Sequence, residues 1–142
     1  GTRSLSAGVP ICYELLFPDL VRRFARGGAE LLLAITNDAW YGRTGAPYQF
    51  LAITALRAAE TGLWTARAAN TGVSAIIDGR GRVREQTPIF ERTWLVAEVP
   101  RREAAQGETF YVRHGDWLAA ACWILLLALA ARGTLGTRRG HG

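Results

Sequence analysis

The sequence predicts an α/β fold, and three stretches carry that prediction. Val9–Cys12 is a short apolar run that stops before a helix-start signal, Pro18-Asp19, with proline suited to the first helical position and aspartate to the positive end. Leu31–Ile35 is an unbroken apolar run of strand length, the pattern of a strand covered on both faces. Between them Leu20, Val21, Phe24 and Ala25 form one face of a helix, Arg22, Arg23 and Arg26 the other, and Gly27-Gly28 closes it. Strand, helix, strand implies a parallel crossover unit. At 142 residues and 49% hydrophobic content the chain can fill the core of one domain.

Parallel strands deliver their last residues to the carboxyl edge of the sheet, where open α/β folds place their chemistry. The first strand delivers Ile11-Cys12-Tyr13-Glu14. Cys12 reads as a nucleophile, and Glu14 as the residue that orients neighbours or holds the turn. The second delivers Thr36-Asn37-Asp38-Ala39-Trp40-Tyr41-Gly42 to the same edge, beside the Cys12 turn.

A loop through Gly45 leads to Pro47, and Leu51, Ala55, Leu56 and Ala59 recur at helical spacing. Gly62 marks the kink or the end of this helix, with Leu63 to Ala69 as its possible continuation. Asn70-Thr71-Gly72 is a turn, Val73–Ile77 a strand, and Asp78-Gly79-Arg80-Gly81 a hairpin turn whose return begins at Val83. Thr93–Val99 reads as a last strand, closed by Pro100, and residues 101–114 as a polar surface linker.

Trp117 to Ala131 is fifteen residues without a charge. A helix of that length spans roughly 22 Å, short of the roughly 30 Å hydrocarbon core of a bilayer. The flanks favour a membrane span: Trp117 sits where an interfacial anchor would, and Arg132, Arg138 and Arg139 gather beyond the other end as on a cytoplasmic side. Arg132 can snorkel and extend the span through Leu135. The expected division is therefore a catalytic part over 1–100, the linker 101–114, a transmembrane helix 115–135 and a basic cytoplasmic tail 136–142. The alternative is a buried terminal helix; with a true span, residues 1–114 lie on the non-cytoplasmic side.

The net charge is +5, and every basic residue is arginine. The arginines are scattered or bunched at the C-terminus rather than interleaved with aromatics on one face, which argues against a nucleic-acid partner. Cys12 and Cys122 are the two cysteines, and His114 and His141 lie far from both in sequence. No metal-ligand spacing results, so neither a metal nor a cofactor is expected. Cys122, inside the apolar run, reads as a packing residue. A cysteine nucleophile needs thiolate character, a proton carrier and oxyanion donors. The helix after Pro18 supplies part of the electrostatic help, but no histidine stands near Cys12.

Several of these segments together resemble the nitrilase, or carbon–nitrogen hydrolase, superfamily. Ile11-Cys12-Tyr13-Glu14-Leu15-Leu16-Phe17-Pro18 is similar to its nucleophile turn. The fuller set looks like a membrane branch, the apolipoprotein N-acyltransferases: Asn37-Asp38-Ala39-Trp40-Tyr41-Gly42, Arg57-Ala58-Ala59-Glu60, the run from Arg67 to Ala75, Asp78-Gly79-Arg80-Gly81 and Gly115-Asp116-Trp117. The likeness runs over about residues 8–131. It implies part of a four-layer α-β-β-α sandwich followed by one C-terminal transmembrane helix. It also implies a bacterial inner-membrane enzyme whose catalytic part faces the periplasm. Its partners would be a phospholipid acyl donor, an apolipoprotein acceptor and the surrounding membrane lipid.

In that family a cysteine takes an acyl chain from a phospholipid as a thioester. It passes the chain to the α-amino group of the lipid-modified N-terminal cysteine of an apolipoprotein. The resemblance makes Cys12 the nucleophile, with Tyr13 and Glu14 beside it as further catalytic residues. Trp40 would line the acyl or substrate entrance, with Asn37 and Asp38 as secondary substrate-binding residues. The family's glutamate base and oxyanion lysine lie upstream of the cysteine. Here eleven residues precede Cys12, none acidic, and the chain has no lysine. The expectation is a C-terminal fragment of such an enzyme, inactive alone. The rival readings are a nitrilase-type amidase acting on small amides and a non-catalytic membrane-anchored module of the same fold.

Overall fold

The computed structural model describes residues 4–100 and 107–138, the last six of them as backbone only. One five-stranded sheet organises them: β1 (Ala7–Gly8), β2 (Leu31–Asn37), β3 (Thr65–Asn70), β4 (Ala75–Ile77) and β5 (Val83–Gln86), adjacent in that order. β1, β2 and β3 are parallel, whereas β4 and β5 join antiparallel. Helix α1 (Pro18–Arg26) crosses from β1 to β2 and α2 (Ala46–Thr61) from β2 to β3. Two further helices, α3 (Phe110–His114) and α4 (Trp117–Arg138), follow the sheet.

The first strand lies earlier than 9–12. Pro10 has no N–H for the ladder, although its carbonyl still accepts from the Ile35 N–H at 3.2 Å. Ile11 keeps one isolated bridge to Ile35, but its N–H turns to the Glu14 carboxylate at 2.7 Å. Pairing stops there, and Cys12 leaves the sheet.

The stretch from Leu63 is not a continued helix. Gly62 caps α2 with φ 70, a left-handed conformation that glycine adopts without a Cβ clash. The chain then reverses into β3, which pairs with β2 from Leu32↔Thr65 to Asn37↔Asn70. Thr93–Val99 likewise forms no strand; it has no regular structure, and Trp94 and Val96 stand more than four-fifths exposed. Among the described residues no sheet edge pairs with it. The Asp78 hairpin does form, between β4 and β5.

Alternation along β2 sets which face is covered. Leu32 and Ala34 are fully buried and pack with Val21 and Ala25 of α1, Leu63 and Val112. A second cluster seats Leu51 and Ala58 of α2 on Val73, Ala75 and Ile77. The opposite face is open: Ile35 is 50% exposed, and Leu33, Ala66 and Ile76 are only half-buried. The cover expected on both faces of β2 is thus present on one. Of the four-layer sandwich, the described residues form one sheet with its helices.

Within the expected linker, residues 101–106 lie outside the described residues, and the rest is ordered into α3. Thr109 caps that helix by accepting from the Val112 N–H at 3.1 Å, while its hydroxyl donates to the Glu60 carbonyl at the end of α2. Val112 is buried in the core. Helix α4 then leaves the domain with Trp123, Ile124, Leu125, Leu126 and Leu127 all exposed, and Cys122 is exposed rather than packed. Among the described residues no helix is long and apolar enough to cross a membrane. Of the basic tail, Arg138 ends α4 as backbone and residues 139–142 lie outside the described residues.

Candidate active site

Cys12 opens a 3-10 turn, Cys12–Leu16, at the carboxyl end of β1. Its φ of 51° is left-handed, a conformation that costs a residue with a side chain about 1–2 kcal/mol. The surroundings hold it there. Glu14 ties back to Ile11 through both its carboxylate (2.7 Å) and its backbone N–H (3.1 Å), and Leu15 is buried in the core beneath. Cys12 itself is a half-buried free thiol. The Glu14 carboxylate is therefore engaged in shaping the turn that displays it.

Beside the turn stands an aromatic group. Tyr41 donates its hydroxyl to that of Tyr13 at 2.6 Å. Phe50 of α2 packs against both, edge-on to Tyr13 at 5.7 Å and stacked on Tyr41 at 5.4 Å. The bond to Tyr13, reinforced by burial and by the charges of Tyr13, Cys12 and Asp38, pushes the Tyr41 pKa up to about 12. Tyr41 is thus a neutral donor throughout the physiological range.

The turn after β2 separates its residues by depth. Asn37 accepts from the Ala39 N–H and from the Asn70 side-chain amide at 3.2 and 3.1 Å, joining the ends of β2 and β3. Trp40 is 86% exposed on a second 3-10 turn, Ala39–Tyr41. Asp38 points inward and is 1% exposed. One of its oxygens accepts from the Thr36 hydroxyl at 2.9 Å, and the other pairs with Arg67 at 2.7 Å. Gly72 backs it so closely that a Cβ there would lie 2.1 Å from the carboxylate. Asp38 therefore reaches the edge through Arg67 and the turn it supports.

Arg67 and Tyr41 join the site although neither is among the residues the sequence assigns to it. Arg67 sits mid-strand on β3, fully buried; its Nε donates to the Val73 carbonyl at 3.1 Å and its Nη1 to the Thr54 hydroxyl at 3.0 Å. Burial lowers its pKa, while Asp38 and, to a lesser degree, the neighbouring Cys12 and Tyr41 oppose that shift. The signal available was Arg67 between two alanines in a strand of small residues, at a position of inward parity. Among the described residues no group of three His, Cys, Asp or Glu could hold a metal ion. The arrangement presents one free thiol on a strained turn, a buried cation within electrostatic reach and a pair of phenols.

The family model for Carbon-nitrogen hydrolase matches residues 1–108. A protein named Apolipoprotein N-acyltransferase from Geobacter metallireducens is 48% identical over 115 residues, covering 81% of this chain and 22% of the relative. Its namesake from Nitrosomonas europaea is 42% identical over 132 residues, 92% of this chain and 26% of the relative. The chain thus spans about a quarter of the length of these curated relatives. Among solved structures, an amidase from Nesterenkonia sp. AN1, modified by acrylamide at its active-site cysteine, shares the fold with a TM-score of 0.60 at 23% identity. That likeness covers 87% of this chain and 47% of the amidase.

Proposed function

The chain belongs to the carbon–nitrogen hydrolase family, and on that premise we propose that it carries the nucleophile side of a phospholipid-dependent N-acyltransferase site. The observation that carries this reading is Cys12, held at a φ of 51° on a turn at the sheet's carboxyl edge. The relatives named Apolipoprotein N-acyltransferase supply the substrate classes.

In the first step the Cys12 sulfur attacks an ester carbonyl of the phospholipid. A C–S bond forms, the C–O bond breaks, and the lysophospholipid leaves as an alcohol with the proton released from the thiol. In the second step the α-amine of the lipid-modified N-terminal cysteine of the acceptor attacks the thioester. A C–N bond forms, the C–S bond breaks, and one amine proton is lost as the thiolate returns. Tyr13, Tyr41 and Phe50 form the wall along which the acyl chain runs, Glu14 shapes the turn, and Trp40 stands at the entrance. Asn37 braces that entrance and Asp38 supports it from within. The oxyanion lysine of the family pattern has no counterpart in these 142 residues, which contain no lysine, and none of the eleven residues before Cys12 is acidic.

The same reading seats α4 in a bacterial inner membrane with the catalytic part on the periplasmic side, its fifteen-residue uncharged stretch, too short to cross by itself, being lengthened by Arg132 snorkelling to the interface. Its uncharged stretch and uncovered side chains support this, because a helix that is apolar on every face needs an apolar surrounding. A soluble amidase has no use for such a helix. The test is intact-mass analysis of the complete gene product incubated with a phospholipid. The expected result is one acyl adduct that hydroxylamine removes and that Cys12→Ala abolishes; a hydroxylamine-labile adduct surviving in Cys12→Ala sinks the proposal.

A further inference from the structure

A cavity opens at the carboxyl edge, two strands along from Cys12. It has a volume of about 440 Å³ and lies between the β3–β4 turn and the segment after β5, lined by Asn70, Thr71, Ser74, Phe90, Glu91 and Arg92 among others. That volume falls within the roughly 300–1,000 Å³ of ordinary ligand sites. We propose that this cleft seats the polypeptide portion of the acylation acceptor, the residues that follow its modified N-terminal cysteine. The inference rests on the acyl-transfer reading above and adds where the acceptor's chain lies.

Three observations converge. First, the lining chemistry differs from that around Cys12. The nucleophile is flanked by aromatic rings, suited to an acyl chain, whereas the cleft offers hydroxyls, a carboxamide and one charge of each sign, suited to peptide groups. Second, backbone strain is confined to these two places. Cys12, Thr71 and Phe90 are the non-glycine residues with positive φ among those described, and the Phe90 N–H bonds the Thr71 carbonyl at 2.9 Å across the cleft wall. Strain that a fold maintains marks positions that function requires. Third, the spacing fits. Adjacent strands lie about 4.8 Å apart, so β1 and β3 are about 10 Å apart. An extended peptide advances about 3.3 Å per residue, which carries its third or fourth residue into the cleft when its amine sits at Cys12.

The cleft is also tied to the Trp40 turn. The Asn70 side-chain amide donates to the Asn37 side-chain oxygen at 3.1 Å, and the Arg43 guanidinium lies 4.9 Å from the Phe90 ring centroid. Glu91 and Arg92 are exposed at the rim, where substitution leaves the core untouched.

The experiment separates the two half-reactions in the complete gene product, using diacylated peptide acceptors of two and of six residues. Glu91→Lys and Arg92→Glu are expected to change KM for the six-residue acceptor by about fivefold or more, leaving the two-residue acceptor and the rate of thioester formation unchanged. A six-residue acceptor with benzophenone at its third or fourth residue is expected to crosslink within 87–93. Slowed thioester formation in these variants would assign the cleft to the donor's head group and overturn the inference. Equal effects on both acceptors, or crosslinks elsewhere, would also overturn it. A wild-type protein that forms no thioester brings down the acyl-transfer reading itself, while the crosslink still reports where the peptide lies.

Discussion

Asp38 and Arg67 form a fully buried ion pair at 2.7 Å that ties the turn after β2 to the middle of β3. Removing one member leaves an uncompensated charge inside the domain. Arg67→Ala and Asp38→Ala are each expected to lose about 3–5 kcal/mol in denaturant titration. Their double variant is expected to lose less than the sum, because neither charge is then stranded. Arg67→Lys is expected to fail as a replacement, since one ammonium cannot serve Val73, Thr54 and Asp38 from the three positions the guanidinium occupies.

The φ of 51° at Cys12 implies a stability cost at that position. Cys12→Gly is expected to be about 1 kcal/mol more stable than Cys12→Ala, the reverse of the order at an ordinary position. Equal stability of the two variants in thermal unfolding would mean that the turn relaxes once the thiol is gone.

The Tyr41 hydroxyl, with its pKa near 12, is expected to ionise well above the ordinary tyrosine value near 10 in an ultraviolet titration. Tyr13→Phe removes the largest cause of the shift, so the Tyr41 transition moves down toward the ordinary value near 10. On the acyl-transfer proposal, the alkaline limb of the reaction should accordingly contain no contribution from Tyr41 below pH 10.

Asp78 makes the β4–β5 hairpin acid-sensitive. Burial favours its neutral form, but the N–H groups of Arg82 and Arg80 and the Arg84 guanidinium outweigh that and hold its pKa below 3.8. A depressed carboxyl pKa contributes stability above the unfolded-state value, and that stability disappears as pH falls from about 4 through the folded-state value. Asp78→Asn is expected to cost about 1–3 kcal/mol at pH 7 and progressively less below pH 4, as read from unfolding at several pH values.

Local signals carried most of the fold. Pro18 and Gly27-Gly28 bracket α1, and the Asp78–Gly81 turn joins β4 to β5. What misled was β3. Thr65-Ala66-Arg67-Ala68-Ala69 holds good helix formers and an arginine, and only pairing with β2 makes it a strand. Leu31–Ile35 looked covered on both sides because hydrophobicity reports what a residue suits, not what the described residues place against it. At the site, the residues adjacent to Cys12 were legible from their succession along the chain. Arg67, fifty-five positions away, was not, since its role comes from register.

Helix α3 is five residues long, yet it is pinned at three points. Thr109 bonds the end of α2, Val112 enters the core, and Gly115 sits against the Arg22 guanidinium on α1. Phe110 then meets Trp117 edge-on at 5.5 Å across the step into α4. This short pedestal acts as a goniometer between α4 and the sheet. A change in the direction of α4 is passed through it to the end of α2, to the core at Val112 and to α1 at Arg22, the helices that pack on the sheet carrying Cys12.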